Sequence, residues 1–213
     1  MHTKKAYLYV FDTMSDWEAG YLIAELNSGR YFRKGVAPIE VITVGADRNP
    51  VKTMGGVAMQ PDLSMEECSL DSQDILILPG GDTWLEPIHE PIHEPILEIA
   101  SNGLQSGTLV AAICGATMGL ANKGLLDTRR HTSNDPGYLK AVCPLYAGES
   151  LYQFEPAVAD GNLVTASGIA PLEFAAEVLK ELDVCRPETL QAWFKLNKTH
   201  EAGYFYELMN TVQ

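Results

Sequence analysis

TLVAAICGATMGLAN, residues 108–122, is the stretch from which the fold is read. Leu109, Val110, Ala111, Ala112 and Ile113 form an unbroken apolar run, the pattern of a strand buried on both faces. The pattern changes at Cys114-Gly115-Ala116 and continues with helix-like spacing through Met118, Leu120 and Ala121. A cysteine where a strand runs directly into a helix gains two physical advantages. The sharp turn lifts its sulfur out of the sheet, and the free N–H groups of the first helical turn favour a thiolate. Gly115 and Ala116 keep such a turn uncrowded. The formal G-x-S-x-G elbow is not met, because positions 112 and 116 are both alanine. The competing reading makes Cys114 one more small buried residue, as free cysteines often are.

Working outward, DILIL (residues 74–78) reads as a second buried strand, closed abruptly by Pro79-Gly80-Gly81. Residues 6–11 form an apolar, aromatic strand. After it, Ser15 and Glu18 stand at capping-box spacing before a helix carrying Ala19, Leu22, Ile23 and Leu26. Residues 39–44 give a further strand, 52–60 a turn with a short strand, 62–67 a single helical turn and 95–102 a helix. Beyond the cysteine, a strand is expected to begin over 129–132, and residues 138–148 stay ambiguous. Strands are expected at 151–154 and 163–166, flanking the Asp160-Gly161-Asn162 turn. Leu172, Phe174, Ala175, Val178, Leu179 and Leu182 make a strong amphipathic helix after Pro171. Residues 187–209 read as two helices broken around Gly203, whose aromatic residues cover the core or face a partner. Alternating strands and helices imply an α/β fold with a mostly parallel sheet and helices on both faces. In such folds the site lies beyond the carboxyl ends of the strands. No linker interrupts the chain, so 1–213 reads as a single domain with the C-terminal helices packed on it.

The 213 residues are 46% hydrophobic and 20% charged, the make-up of a folded soluble protein. A formal charge of -13 argues against a broad phosphate-binding surface, hence against a nucleic-acid partner. No apolar run reaches the roughly 18 residues that span a bilayer. MHTKKAYLYVFD at the start resembles a strand more than a signal peptide, which makes the cytoplasm the expected address. Cysteines 68, 114, 143 and 185 form no CxxC pair and read as reduced thiols. HEPIH (residues 89–93) satisfies H-E-x-x-H, yet Pro91 falls inside the helix that pattern requires. The segment is a direct repeat of Pro-Ile-His-Glu, begun at Pro87 and again at Pro91. No metal and no cofactor are expected.

Four pieces of the chain could converge at the strand ends: Glu18, Gly80-Gly81, Cys114 and His131. Backbone amides of Gly81 and Gly115 suit a developing oxyanion. Gly80, Asn134, Ser167 and Gly168 either line the same pocket or only shape turns. Glu18 either caps its helix or hydrogen-bonds the sulfur. An ionised Glu18 opposes the thiolate, whereas a protonated one donates to it, so the pair would hold one negative charge and one proton. Such a thiolate could attack a carbonyl or be oxidised.

DWEAGYL (residues 16–22), DILILPGG (74–81), AAICGATMGLA (111–121), RRHTSN (129–134) and TASGIAPLEFA (165–175) together resemble the DJ-1/PfpI family of the class I glutamine amidotransferase-like superfamily. The likeness is greatest to bacterial members labelled putative amidotransferases or intracellular proteases. It implies a flavodoxin-like three-layer sandwich and a homodimer, with Glu18 and Cys114 matching the family's carboxylate and elbow cysteine. Protease-like members carry histidine directly after the cysteine, where this chain has Gly115. That leaves His131, as in the DJ-1-like branch, as the candidate proton shuttle. The expected function is a cysteine-dependent enzyme acting on a small electrophilic carbonyl or amide, by hydrolase, hydratase or glyoxalase-like chemistry. The alternatives are a non-enzymatic redox-sensing or stress-response protein, and a binding domain.

Overall fold

A computed structural model describes residues 3–85 and 92–212. Its strands are β1 (Lys5–Tyr9), β2 (Glu40–Gly45), β3 (Val51–Lys52), β4 (Ala58–Met59), β5 (Leu63–Ser64), β6 (Ile75–Leu78), β7 (Leu109–Ile113), β8 (Ala157–Asp160) and β9 (Leu163–Ala166). Its helices are α1 (Gly20–Ser28), α2 (Glu94–Ser106), α3 (Gly115–Asn122), α4 (Pro136–Val142), α5 (Pro171–Glu181), α6 (Pro187–Thr199) and α7 (Ala202–Thr211). Seven strands form one sheet in the order β5-β2-β1-β6-β7-β9-β8, while β3 and β4 make a separate hairpin. All neighbours in the main sheet are parallel except β8 and β9.

The apolar runs read from the sequence explain this order. Every residue of β6 and β7 is buried, as a strand covered by helices on both faces demands. They pair in register from Ile75 opposite Leu109 to Leu78 opposite Ala112, so Pro79-Gly80 and Cys114 leave the sheet side by side. The helices α1 and α5 pack together in one layer, continued by α6, while α2 covers β7. The result is a flavodoxin-like three-layer α/β sandwich. Truncating a core residue such as Ile77 to alanine costs about 2–5 kcal/mol in such interiors. No described helix is long and apolar enough to cross a membrane.

Four local expectations are corrected. The first helix starts at Gly20, with Ala19 as an N-cap that makes no side-chain bond. Glu18 does not close a capping box, because its carboxylate accepts the Gly80 N–H instead. A capping box does occur at Ser64 and Glu67, around the 3-10 turn Met65–Glu67. Residues 129–132 and 151–154 meet only in an isolated bridge between His131 and Tyr152. The strand before the Asp160-Gly161-Asn162 turn is β8, since the tight turn with Gly161 at φ +60° joins it directly to β9. The C-terminal helices break at His200, whose φ of +62° and N–H bond to Leu196 O end α6; Gly203 lies inside α7.

Candidate active site

Cys114 joins β7 to α3 with φ +58° and ψ -125°, a sparsely populated conformation that costs about 1–3 kcal/mol for a residue with a side chain. Three hydrogen bonds hold it there, and a fourth braces Thr117. Its N–H donates to Ala166 O of β9 at 3.0 Å, and its carbonyl accepts from the Thr117 N–H at 3.1 Å. That carbonyl also accepts from Thr117 Oγ1 at 2.6 Å, and Thr117 Oγ1 shares a 2.6 Å bond with Ser133 Oγ. The surroundings leave no room for larger neighbours. A Cβ on Gly80 would stand 2.7 Å from Cys114 Cβ, and one on Gly168 would stand 2.7 Å from its Sγ. Glycine at these two positions is what lets backbone close around the sulfur.

Glu18 approaches from the turn before α1. Its side chain is fully buried (0% exposed), and Oε2 accepts the Gly80 N–H at 2.5 Å. Oε1 meets no partner in hydrogen-bonding geometry, while the Cys114 thiol and the Ser15 hydroxyl stand beside the carboxyl. Burial raises the Glu18 pKa above the ordinary carboxylate value, against the Gly80, Cys114 and Ser15 contacts that oppose the rise. Burial first, then the neighbouring Glu18 charge, pushes the Cys114 thiol up to about 11. Asn134 and the Gly115 amide act in the opposite sense. With two groups in contact whose charged forms both suffer from burial, the pair retains a proton that either can hold.

Asn134 is oriented by its other contacts. Its Oδ1 accepts the Gly168 N–H at 2.8 Å, which turns Nδ2 towards Cys114 Sγ at 3.3 Å. Trp17 closes the same side by donating its indole N–H to Gly168 O at 3.3 Å. Together these segments enclose a pocket of about 390 Å³ lined by Glu18, Gly81, Cys114, Gly115, Asn134, Ser167 and Gly168 among others. Gly80 contributes from behind, since its amide is engaged by Glu18.

His131, expected as a proton shuttle, is not brought to the sulfur. It is buried, with Nδ1 against Arg129 O at 2.7 Å and Nε2 against the Tyr146 hydroxyl at 2.5 Å. Both nitrogens are engaged within the core, and His131 does not line the Cys114 pocket. Residues that the sequence did not offer as site residues also line the wall, among them Ser15, Met54, Leu85, Met118, Tyr138 and Ile169. Ile169 lies inside a stretch noted above, and its apolar side chain in a polar turn is the available signal. The others come from separate helices and turns, and no spacing links them.

A larger cavity of about 550 Å³, bounded by β8, α5 and α6, shares none of these residues. Among the described residues no cluster of three His, Cys, Asp or Glu side chains could hold a metal ion. Most of the H-e-x-x-H window lies in residues 86–91, outside the described residues. His93 itself bonds the Tyr9 hydroxyl at 2.9 Å and Thr83 Oγ1 at 3.1 Å, and stacks on Trp84.

Residues 4–181 match the model of the DJ-1/PfpI family. An uncharacterized protease of Bacillus subtilis, YoaZ, is 60% identical over 212 residues, covering 100% of this chain and 99% of its own length. The crystal structure of a thiJ/pfpI family protein from Bacillus anthracis superposes with a TM-score of 0.94 at 62% identity, covering 99% of this chain and 98% of that one. A DJ-1 superfamily protein from Agrobacterium tumefaciens, Atu0886, follows at 0.76 and 31% identity, over 92% of this chain and 98% of its own.

Proposed function

This chain belongs to the DJ-1/PfpI family, and from that premise we propose that it is a cysteine-dependent enzyme acting on a small electrophilic carbonyl or amide. The observation carrying this reading is the contact between a buried carboxyl and a thiol that opens into a pocket large enough for a small molecule. Roughly 300–1,000 Å³ is the usual range for such sites, and this one is near its lower end.

In the proposed step, Cys114 Sγ attacks the carbonyl carbon and its thiol proton passes to Glu18. The S–C bond forms as the C=O π pair moves onto oxygen, and Glu18 then returns the proton to that oxygen, giving a neutral thiol adduct. The Gly81 and Gly115 amides, both at the pocket, would steady the developing negative charge. Glu18 suits the exchange because burial raises its pKa towards that of a group able both to take and to give a proton. His131 has no step in this scheme. A peptidase, the activity in the Bacillus subtilis relative's name, is less well supported, because no described imidazole lines the pocket to act as base. Residues 1–213 would work as one domain, as a homodimer in the cytoplasm, on a small-molecule substrate without a cofactor.

A redox-sensing role is the second reading. It is favoured by the same carboxyl beside the sulfur, since a protonated Glu18 and Asn134 Nδ2 could both donate to an oxidised sulfur. Intact mass and turnover with small aldehydes, amides and peroxide separate the two. We expect turnover that disappears in Cys114→Ala. Oxidation at Cys114 without turnover would replace the enzyme reading with the redox one, and persistence of both in Cys114→Ala would remove the sulfur as the centre.

A further inference from the structure

Among the described residues, the mouth of the Cys114 pocket is mostly apolar, with Asp82 its one exposed charged side chain. Trp17, Met54, Leu85, Tyr138 and Ile169 come from five separate segments and converge there, with Met118 deeper in. Trp17 is 51% exposed, Leu85 56% and Ile169 94%, so these side chains are held in water rather than packed away. Single exposed apolar residues are ordinary, but five around one nucleophile are a contiguous patch of the kind that marks a recognition surface.

The patch is built by specific contacts. The Trp17 ring is fixed by its N–H bond to Gly168 O, on the loop that carries Ile169. The loop bearing Met54 is pinned beside Trp17 by Asp16, whose carboxylate accepts from Thr53 Oγ1 at 2.5 Å and from the Gly55 N–H at 2.6 Å. The Met54 N–H further donates to Met14 O at 2.9 Å. The only ionisable side chains in the lining besides Cys114 and Tyr138 are acidic, Glu18 and Asp82; no Lys, Arg or His lines the pocket among the described residues. A carboxylate entering here would lose hydration and meet no cationic side chain among the described residues.

We infer that this pocket selects uncharged carbonyl compounds bearing an apolar aryl or alkyl substituent and turns away those bearing a carboxylate. The inference deepens the proposed function and rests on its claim that Cys114 is an accessible nucleophile. The reacting carbonyl would lie against Cys114 and Asn134, while the substituent covers Met54, Leu85 and Ile169.

Selection can be read without knowing the natural reaction, by alkylating the full-length protein with iodoacetate, iodoacetamide and N-benzyl iodoacetamide at one pH. In each case Sγ displaces iodide: an S–C bond forms, the C–I bond breaks and the thiol proton goes to solvent. Rates at Cys114 are followed by peptide mass, with Cys114→Ala as the baseline, and divided by the rates with glutathione. The expected normalised preference for N-benzyl iodoacetamide over iodoacetate is about tenfold or more, the scale of one desolvated apolar group. Ile169→Lys, at a solvent-facing position that should not disturb folding, is expected to raise the iodoacetate rate and shrink that preference at least threefold.

Equal normalised rates, or a preference untouched by Ile169→Lys, would overturn the selection while leaving the nucleophile intact. No reaction at Cys114 with any reagent would overturn both it and the proposed function. N-benzyl labelling that slows as rising protein concentration drives self-association would assign the patch to a second copy of the chain instead.

Discussion

Cys114 and Cys143 flank the same helix, and burial pushes both thiols up to about 11. Cys114 begins α3, whereas Cys143 is fully buried and donates its S–H to Met118 O, in the middle of that helix, at 3.5 Å. Desolvation is the leading cause in each, so the pKa alone does not separate the proposed nucleophile from a core residue. The difference lies in what surrounds the sulfur. Cys114 has a carboxyl beside it, an amide donor and an opening to solvent. Cys143 has a carbonyl and apolar packing.

The most severe test of this contrast is removal of each thiol in turn. Cys114→Ala should lower turnover by about 10³-fold or more, the scale of losing a nucleophile, while Cys143→Ala should change it by less than about twofold. Equal losses would break the comparison. Next, Glu18→Gln should cost about 10²–10⁴ in turnover by removing the proton acceptor. The same change removes a negative charge beside the sulfur, so the midpoint of Cys114 alkylation against pH should fall below about 11. A rise in that midpoint would mean that Glu18 does not act on the thiol as described.

Gly168→Ala forces a Cβ to within 2.7 Å of Sγ and should lower turnover about 10²-fold through displacement of the reacting atom, with circular dichroism unchanged. His131→Leu should do the reverse. Leaving Arg129 O and the Tyr146 hydroxyl unpartnered costs about 1–3 kcal/mol in denaturant unfolding, with turnover within about twofold. A large loss of turnover at full stability would return His131 to the site. The smallest effect is on stability against pH. Because Glu18 holds its proton more tightly folded than unfolded, its contribution favours folding most at low pH and declines as pH rises from the ordinary 4.5 through the raised native value. Glu18→Gln should abolish that decline in thermal melts run from acidic to neutral pH.

How far the site was legible follows from the kind of signal each residue leaves. The residue type and setting of Cys114, between an apolar run and a helical pattern, disclose its position at the strand-to-helix turn. Glu18 was singled out by resemblance and by spacing, but the spacing pointed to a helix cap that does not form. Its carboxylate could satisfy either the Ser15 backbone or Gly80, and only the packed chain brings Gly80 close. His131 shows the opposite failure: its residue type suits proton transfer, while its ring faces Tyr146 in the core. The strand mistaken at 151–154 arose similarly, since a short apolar run beside Pro156 does not disclose whether a partner edge is available.

Local patterning by itself determined the buried strands β1, β2, β6, β7 and β9, the mostly parallel sheet and the sharp turn that carries the cysteine, because each depends on side chains a few positions apart. Only the tertiary structure decided that a carboxyl 96 positions earlier meets the sulfur, that Asn134 presents its amide while His131 bonds within the core, and that five separate segments supply a mostly apolar mouth. Those outcomes depend on which backbone groups compete for each polar side chain once water is excluded. That competition is set by distances in the folded chain, which sequence spacing does not encode.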